Sequence, residues 1–282
     1  MKLKFYENIL YDIRKFSGLT RDCAEMLIQK YPKLFFSIPV NSIHSILSIE
    51  VINRVKKSGY KGHGTQRKFW ERWKKSQQNG ESSGIIIRLS AMTNLPPSLV
   101  ARSILEYYYQ SIDRNVTKAN VYQYLKDPTL IDNQDLAYEI YLSILYDDRD
   151  GPVSQAFSKA IGYEYESELQ NYLVKRGIAY ITEDNLRRKG YDKTPDIKLE
   201  IPIAIDGFVV NWIESKARFG SPSIHATYLK SQLLSYWNRF GPGLVIYWFD
   251  YVDEIIEPNE KRFIIMNHFP NNVTYMHTDI SE

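Results

Sequence analysis

Apolar residues recur every three or four positions through residues 1–150, which is the spacing of one face of an α-helix. Prolines and glycines interrupt this pattern repeatedly, so it predicts several short helices. Two of them, over residues 85–92 and 98–109, flank a turn over 93–97 and predict a helical hairpin. A helix-turn-helix that reads DNA is the alternative, but only Arg102 and Ser103 of its second helix are suited to contact bases. The pattern therefore favours a packed hairpin.

The pattern changes after the polar stretch over residues 147–152, which we take as a domain boundary. Between two predicted strands, Asp206-Gly207 is a strong signal for a two-residue hairpin turn. The order of elements predicts an all-helical domain over 1–150, followed by an α/β domain with a mixed central sheet over 151–282. In the second domain we predict helices over 153–176 and 225–239, and strands over 178–181, 197–205, 208–217, 244–249 and 262–266.

The composition is that of an ordinary globular protein, with 44% hydrophobic and 24% charged residues. Cys23 is the single cysteine, which excludes an internal disulfide and a cysteine-based zinc finger and fits a reducing compartment. Charges interrupt the N-terminal stretch every few residues, and no apolar run elsewhere approaches 18 residues, so we expect neither a secretory signal nor a membrane span. Residues 1–150 contain 22 Lys and Arg against 16 Asp and Glu, whereas residues 151–282 contain 14 against 17. The basic half is thus suited to a polyanion and the acidic half to cations.

One segment of the basic half, residues 54–75, combines nine cations with a single acid, Glu71. Tyr60, Phe69, Trp70 and Trp73 are interleaved with these cations, a pattern typical of nucleic-acid binding. The alternative is a solvated helix whose aromatic residues anchor it to the core, and both interpretations can hold together. The candidate nucleic-acid-binding residues are Arg54, Lys56, Lys57, Lys61, Arg67, Lys68, Arg72, Lys74 and Lys75.

Two acids and a lysine fall where the predicted hairpin would bring them together. Asp196 lies ten residues before the Asp206-Gly207 turn, and Glu214 lies seven residues after it. An antiparallel pair places both acids at the same end of the ribbon, with a slight stagger. Glu214 and Lys216 are two positions apart, so they share one strand face and extend an apolar stripe. Charged groups there are costly unless they are paired or bind a metal.

The two carboxylates make an oxygen-rich site suited to Mg²⁺ or Mn²⁺. Such an ion would hold a phosphate oxygen and acidify a water molecule, while Lys216 would orient that water or neutralise charge on the phosphate. A surface ion pair between Glu214 and Lys216 is the plainer alternative, and the apolar flanks argue against it. His225 follows closely enough to reach this site, although a helix-capping role fits the sequence equally well.

The order Pro195-Asp196, then Glu214-Ser215-Lys216, resembles the motif of the PD-(D/E)XK phosphodiesterases, which include restriction enzymes and Holliday-junction resolvases. The resemblance implies a restriction-endonuclease-like fold. It also implies that Asp196, Glu214 and Ser215 hold a divalent metal ion and that Lys216 is catalytic.

Two flanking stretches extend this resemblance. Residues 162–169 are similar to the first-helix motif of archaeal resolvases, which implies that Glu166 supports the metal or its water, with Glu164 as the alternative. Gln232 and Tyr236 are similar to the Gln-x-x-x-Tyr motif of the exonuclease-like branch. This motif implies that they position Lys216 and the DNA.

Longer stretches over 97–106, 188–196, 212–217 and 235–248 resemble the codanin-interacting nuclease family of animals. This resemblance covers nearly the whole chain and implies a codanin partner and residence in the nucleus and cytoplasm. We expect a metal-dependent nuclease that acts on DNA of particular structure or at ends. The alternative is a catalytically slow or silent adaptor that binds codanin or nucleic acid through the same fold. A sequence-specific transcription factor is the weakest alternative, because no good recognition helix is present.

Overall fold

The computed structural model of the chain describes residues 1–36, 38–113 and 117–276. These residues form two compact units. The helical unit comprises residues 9–32 and 46–159, and the sheet unit comprises residues 1–8, 33–45 and 160–282. The functional division of the chain at residue 150 stays a prediction.

Helices precede the sheet in the chain, as the apolar periodicity predicts. Short 3-10 helices cover Pro32–Phe36, Pro128–Leu130 and Asp253–Ile255. None of the helices in the described ranges is both long and apolar enough to cross a bilayer. The α-helices are α1 (Leu3–Lys15), α2 (Thr20–Lys30), α3 (Asn41–Lys57), α4 (His63–Gln78), α5 (Ile85–Thr93), α6 (Pro97–Ile112), α7 (Lys118–Lys126), α8 (Gln134–Tyr146), α9 (Pro152–Lys175), α10 (Glu183–Arg188), α11 (Pro222–Tyr228) and α12 (Leu234–Phe240).

The predicted hairpin of α5 and α6 is confirmed as a packed pair within the core of the helical unit. Helix α6 is buried along most of its length, because apolar residues occupy nearly every turn. Ser103 is buried and its hydroxyl donates to Leu99 O at 3.0 Å, while Arg102 forms an ion pair with Asp150 at 3.0 Å. The two positions that could have contacted bases are therefore engaged within the unit, so the helix-turn-helix alternative is not supported.

The sheet is mixed, as predicted, and its strands run in the order β1-β2-β3-β4-β5. The β1/β2 and β2/β3 pairs are antiparallel, whereas β3/β4 and β4/β5 are parallel. A short sixth strand pairs with β2 at Ile203 and Ala204, nearer the hairpin turn than the residues that pair with β1. The strands are β1 (Tyr180–Thr182), β2 (Ile197–Ile205), β3 (Phe208–Lys216), β4 (Gly243–Tyr247), β5 (Phe263–Met266) and β6 (Thr274–Tyr275).

The β2–β3 hairpin is the element that the sequence predicts best. Asp206 and Gly207 both have positive φ, at 48° and 82°, as a two-residue primed turn requires. Five steps along β2 separate Lys198 from Ile203, but only two steps separate their partners on β3. This bulge takes up the three-residue difference between the two arms of the hairpin.

The connection from β3 to β4 differs from the single predicted helix over 225–239. It begins earlier, at Pro222, where the side chain of Ser221 caps α11. One π-helical turn, Leu229–Leu233, then separates α11 from α12. Two further elements, α10 and β6, were not predicted, and β1 begins two residues later than predicted. Each of these is too short to produce a clear periodicity.

Gly243 at the start of β4 is fixed by a close approach. A Cβ atom there would lie 2.1 Å from the ring of Trp212, which is fully buried in β3. The indole Nε1 of Trp212 donates to Gly241 O at 2.8 Å, so the ring cannot move without losing a hydrogen bond. Only glycine allows β4 to pair with β3 at this point.

We predict that Gly243→Ala lowers the free energy of unfolding by about 1–3 kcal/mol or more, because overpacking forces the ring or the strand to shift. The control is Gly162→Ala within α9, where a Cβ meets nothing within 4 Å. That change should stabilise the protein by roughly 0.5–1 kcal/mol. Urea denaturation of both variants checks this, and equal effects of the two substitutions would contradict it.

Candidate active site

The β2–β3 pair brings Asp196 and Glu214 together at one end of the hairpin. The residues Ile197 and Ile213 are register partners in the antiparallel pair, so Asp196, just before Ile197, lies opposite Glu214, just after Ile213. The amide N–H of Asp196 donates to Glu214 Oε2 at 3.2 Å, and the amide N–H of Ser215 donates to Asp196 Oδ2 at 2.7 Å. Main-chain groups of each strand thus fix the carboxylate of the other.

Lys216 lies on the same strand face as Glu214 and its ammonium forms an ion pair with Glu214 Oε1. The side chain of Glu214 is only 2% exposed and that of Lys216 15%. Burial raises the pKa of Asp196, and the charge of Glu214 raises it further. Burial also raises the pKa of Glu214, while Lys216 opposes the rise. Burial lowers the pKa of Lys216, but the charges of Glu214 and Asp196 outweigh this effect and the net pKa is raised.

Helix α9 brings Glu166 to this cluster. Glu166 is half-buried, whereas Glu164 is exposed. Burial raises the pKa of Glu166, and the negative charges of Glu183 and Glu214 raise it further. Of the two helix acids that the sequence left open, Glu166 is therefore the one in electrostatic contact with the site.

Gln232 and Tyr236 lie four residues apart on the connection between β3 and β4, in the π-turn and in α12. Tyr236 is buried against Trp212, with ring centroids 5.4 Å apart. Burial raises the pKa of Tyr236, and the negative charges of Glu214 and Asp196 raise it further. The Oε1 atom of Gln232 is buried and has no hydrogen-bond partner among the described residues.

Two residues of the cluster were not identified from the sequence. Glu183 begins α10, and its amide N–H donates to Asp196 O at 3.0 Å. Its carboxylate accepts hydrogen bonds from Arg187 at 2.7 Å and Thr194 at 3.1 Å. The ring of Tyr228 lies under Lys216 Nζ, 4.7 Å from the ring centroid to the nitrogen. The sequence did contain a signal for Tyr228, because it precedes Gln232 and Tyr236 at the same spacing of four.

Two sequence-based expectations are modified. The hydroxyl of Ser215 accepts a hydrogen bond from Trp248 Nε1 at 2.8 Å, on the strand face opposite Glu214. Ser215 could therefore contribute to an ion beside Asp196 only through its main chain. His225 neither reaches the carboxylates nor caps α11. It is the buried residue of α11 itself, with its Nδ1 atom 3.1 Å from the hydroxyl of Tyr247.

The donor set fits a hard divalent cation. Magnesium is usually held by one or two carboxylates and keeps several water molecules or phosphate oxygens as its other ligands. Asp196 and Glu214 supply two such carboxylates in a cluster where negative charge exceeds positive charge. In the described ranges, no three His, Cys, Asp or Glu side chains are grouped closely enough to hold an ion together. The carboxylate pair is therefore the protein's main contribution to such a site.

The basic segment lies in the helical unit, at the end of α3 and along α4. Phe69 and Trp73 are buried in the core, and Trp70 stacks on Trp73 with ring centroids 5.0 Å apart. The aromatic residues are thus core anchors. Arg54 is half-buried and donates to Ile13 O at 3.1 Å. Two further arginines, Arg67 and Arg72, form ion pairs with the acids at positions 71 and 81. The exposed lysines of this segment are Lys56, Lys57, Lys61, Lys68, Lys74 and Lys75.

Fold and site together define an α+β protein with a buried carboxylate–lysine cluster at the end of a β-hairpin. A family model described as a protein of unknown function with a TPD sequence motif matches residues 132–269. Within that range the chain reads Thr194-Pro195-Asp196. No solved structure matches the chain significantly.

Curated relatives identify the family. The chain is 37% identical to "CDAN1-interacting nuclease 1" of Xenopus tropicalis over 257 residues, covering 90% of this chain and 84% of the relative. The protein of that name from Danio rerio is 37% identical over 90% of this chain and 85% of its own length. The Homo sapiens protein is 35% identical over 90% of both chains. The chain therefore belongs to the CDAN1-interacting nuclease 1 family.

The raised pKa values of Asp196 and Glu214 predict how stability depends on pH without divalent metal. In the pH range between their ordinary and raised pKa values, the folded protein binds protons that the unfolded chain does not. The free energy of unfolding should therefore rise as pH falls through this range. In Asp196→Asn that rise should be smaller. Urea denaturation from about pH 8 to about pH 5.5 measures this, and identical pH dependence in both proteins would contradict it.

Proposed function

We propose that this chain is a divalent-metal-dependent nuclease that hydrolyses phosphodiester bonds in DNA of particular structure or at ends. The observation that carries the proposal is the buried pair Asp196 and Glu214, held by main-chain amides beside Lys216. The relatives that bear the name nuclease support it. The mixed sheet and the order of the motifs support a PD-(D/E)XK, restriction-endonuclease-like assignment as part of the same proposal.

Asp196 and Glu214 would hold Mg²⁺ or Mn²⁺, with Glu166 and the main chain of Ser215 as supporting groups. When bound, the ion supplies positive charge to the phosphate and lowers the pKa of water, which are the usual contributions of such metals. Lys216 pairs with Glu214 on the same strand face and would donate to the phosphate or to the attacking water.

The helical connection after β3 has a positioning role in this proposal. The side chain of Tyr236 is buried, and its ring packs edge-on against Trp212 of β3. Gln232 precedes it by one helical turn, and its buried Oε1 atom accepts no hydrogen bond from the residues that the structure describes. These two side chains would orient Lys216 and the bound strand.

Removing one carboxylate should abolish both metal binding and cleavage. We predict that Asp196→Ala lowers cleavage of branched, flapped and single-stranded DNA in Mn²⁺ by about a hundredfold or more. It should also remove the heat of Mn²⁺ binding in calorimetry. The control is Asp206→Asn, which removes a carboxylate from the turn of the same hairpin and keeps a residue that tolerates positive φ.

The outcome of these assays separates the two function classes. Absence of cleavage by the wild-type protein, or equal cleavage by wild type and Asp196→Ala, would overturn the nuclease proposal. Mn²⁺ should also raise the melting temperature more at high pH than at low pH, because protons compete for the carboxylates whose pKa values are raised.

We also propose that the exposed lysines of the basic segment contact nucleic acid through phosphate charge. We predict that the double substitution Lys74→Gln/Lys75→Gln lowers the slope of log affinity against log salt for duplex DNA by about two. The matched control, Lys118→Gln/Lys126→Gln, removes two exposed lysines of α7 in the same unit. Fluorescence anisotropy of labelled DNA measures both slopes, and equal slopes would contradict this contact.

We also propose a protein partner and a cellular location for this chain. The relatives' name, CDAN1-interacting, supports a codanin-type protein partner for this chain. We propose that the chain resides in the nucleus and the cytoplasm, which is consistent with a DNA substrate and with that partner. Co-purification with the codanin of the same organism tests the first, and imaging of the tagged chain tests the second.

A further inference from the structure

Arg218 is a cation of the sheet unit to which the proposed chemistry assigns no role. It follows Lys216 by two residues, just beyond the end of β3, and its side chain is half-buried. The amide N–H of Arg218 donates to Lys216 O at 2.7 Å, so the main chain turns tightly between them. The two cations are therefore held close together by the backbone.

Tyr228 at the end of α11 joins the same two side chains. Its hydroxyl accepts a hydrogen bond from Arg218 Nη1 at 3.0 Å. Its ring lies 4.7 Å from Lys216 Nζ, measured to the ring centroid, in a cation–π contact. One aromatic side chain thus orients both a lysine and an arginine at the edge of the carboxylate cluster.

The partners of these two cations differ. Lys216 is neutralised by Glu214, whereas Arg218 forms no ion pair with any carboxylate in the described ranges. Its side-chain hydrogen bond goes to a neutral phenol. A guanidinium carries five donors in a planar fork that matches a phosphate group, and one bond to Tyr228 leaves most of them unused.

We propose that Arg218, oriented by Tyr228, binds a non-bridging oxygen of a phosphate in the strand held at the Asp196–Glu214 site. This inference rests on the proposed nuclease function and specifies how its substrate is held. Arg218 is a substrate-binding residue here, and Tyr228 is a positioning residue that acts through it. A phosphate that binds near both Lys216 and Arg218 is attracted by each cation, and its charge offsets the repulsion between them.

An ordinary structural role for Arg218 accounts less well for these observations. An arginine that stabilises a fold is generally paired with a carboxylate or with several carbonyl oxygens. Arg262 of the same unit shows that arrangement. Two of its side-chain nitrogens donate to the carboxylate of Glu260, two residues earlier in the chain. Arg218 instead pairs with no carboxylate among the residues that the structure describes, and its side-chain hydrogen bond goes to the Tyr228 hydroxyl beside the proposed site.

The test measures DNA binding without turnover. The full-length chain is titrated, with Ca²⁺ in place of Mn²⁺, into labelled single-stranded and duplex oligonucleotides, and affinity is followed by anisotropy across a range of salt concentrations. We expect Arg218→Gln to weaken binding roughly tenfold, as loss of one charged hydrogen bond implies. The salt slope should fall by about 0.9 for duplex and about 0.7 for single strands. Arg218→Lys keeps the charge and should recover most of the slope.

Tyr228→Phe tests the positioning role, because it keeps the ring beneath Lys216 and removes only the hydroxyl. Its effect on affinity should be smaller than that of Arg218→Gln and should vanish when Arg218→Gln is already present. In cleavage assays with Mn²⁺, Arg218→Gln should raise KM and leave kcat within about twofold. The reason is that this phosphate contact would be equally strong in the bound substrate and in the transition state.

The matched control is a second tyrosine–arginine pair of the same unit. The guanidinium of Arg176 lies 4.3 Å from the ring centroid of Tyr172, and it donates to Asn271 O at 3.4 Å. Arg176→Gln removes the same charge and should leave affinity and salt slope at their wild-type values.

Each outcome distinguishes this inference from the proposed function. If Arg218→Gln binds DNA like wild type, or like Arg176→Gln, the inference is wrong even when wild type cleaves DNA. If wild type binds DNA and Arg218→Gln binds it less tightly while no cleavage occurs in Mn²⁺, the phosphate contact stands and the nuclease proposal fails. A wild-type chain that binds neither oligonucleotide overturns both.

Discussion

Asp196 and Glu214 bring two like charges into contact at a buried end of the β2–β3 hairpin, and much of the local structure offsets the cost of doing so. Each carboxylate accepts a main-chain N–H from the opposite strand, and Lys216 neutralises one of the two charges. The bulge in β2 is part of this arrangement, because without three extra residues the two acids would not lie side by side. The hairpin is thus shaped by its charged end as well as by its apolar face.

Charge at the site is separated into two zones. The carboxylates of Asp196, Glu214, Glu166 and Glu183 create an excess of negative charge. Together with burial, this charge raises the pKa values of Asp196, Glu214 and Glu166. On the other side, Tyr228 holds Lys216 and Arg218 together. A divalent cation suits the first zone and a phosphate suits the second. A bound phosphodiester with its metal would complete both at once, which neither a free cation nor a free anion could do.

The sequence predicted those features that depend on local rules. The Asp206-Gly207 turn requires positive φ at both positions, so the hairpin and the approach of Asp196 and Glu214 at one end of it followed from the sequence. The bulge in β2 that removes the stagger between the two acids did not. Features that depend on tertiary contacts could not be predicted in this way. The π-turn leaves no gap in the apolar pattern, and Glu183 enters the site only because β1 pairs with β2. Likewise, nothing local to His225 indicates that it packs against Tyr247.

The aromatic residues of α4 limit what the helical unit can contribute to recognition. Phe69 and Trp73 are buried, and Trp70 stacks on Trp73 and contacts the tilted ring of Tyr108. These rings therefore stabilise the unit's core. In the proposed function, the exposed lysines that remain would provide phosphate contacts, which carry no sequence information and weaken with salt. Discrimination among DNA structures would then arise where the strand meets fixed geometry. In this chain we propose that this place is the carboxylate–lysine cluster with the cations that Tyr228 orients.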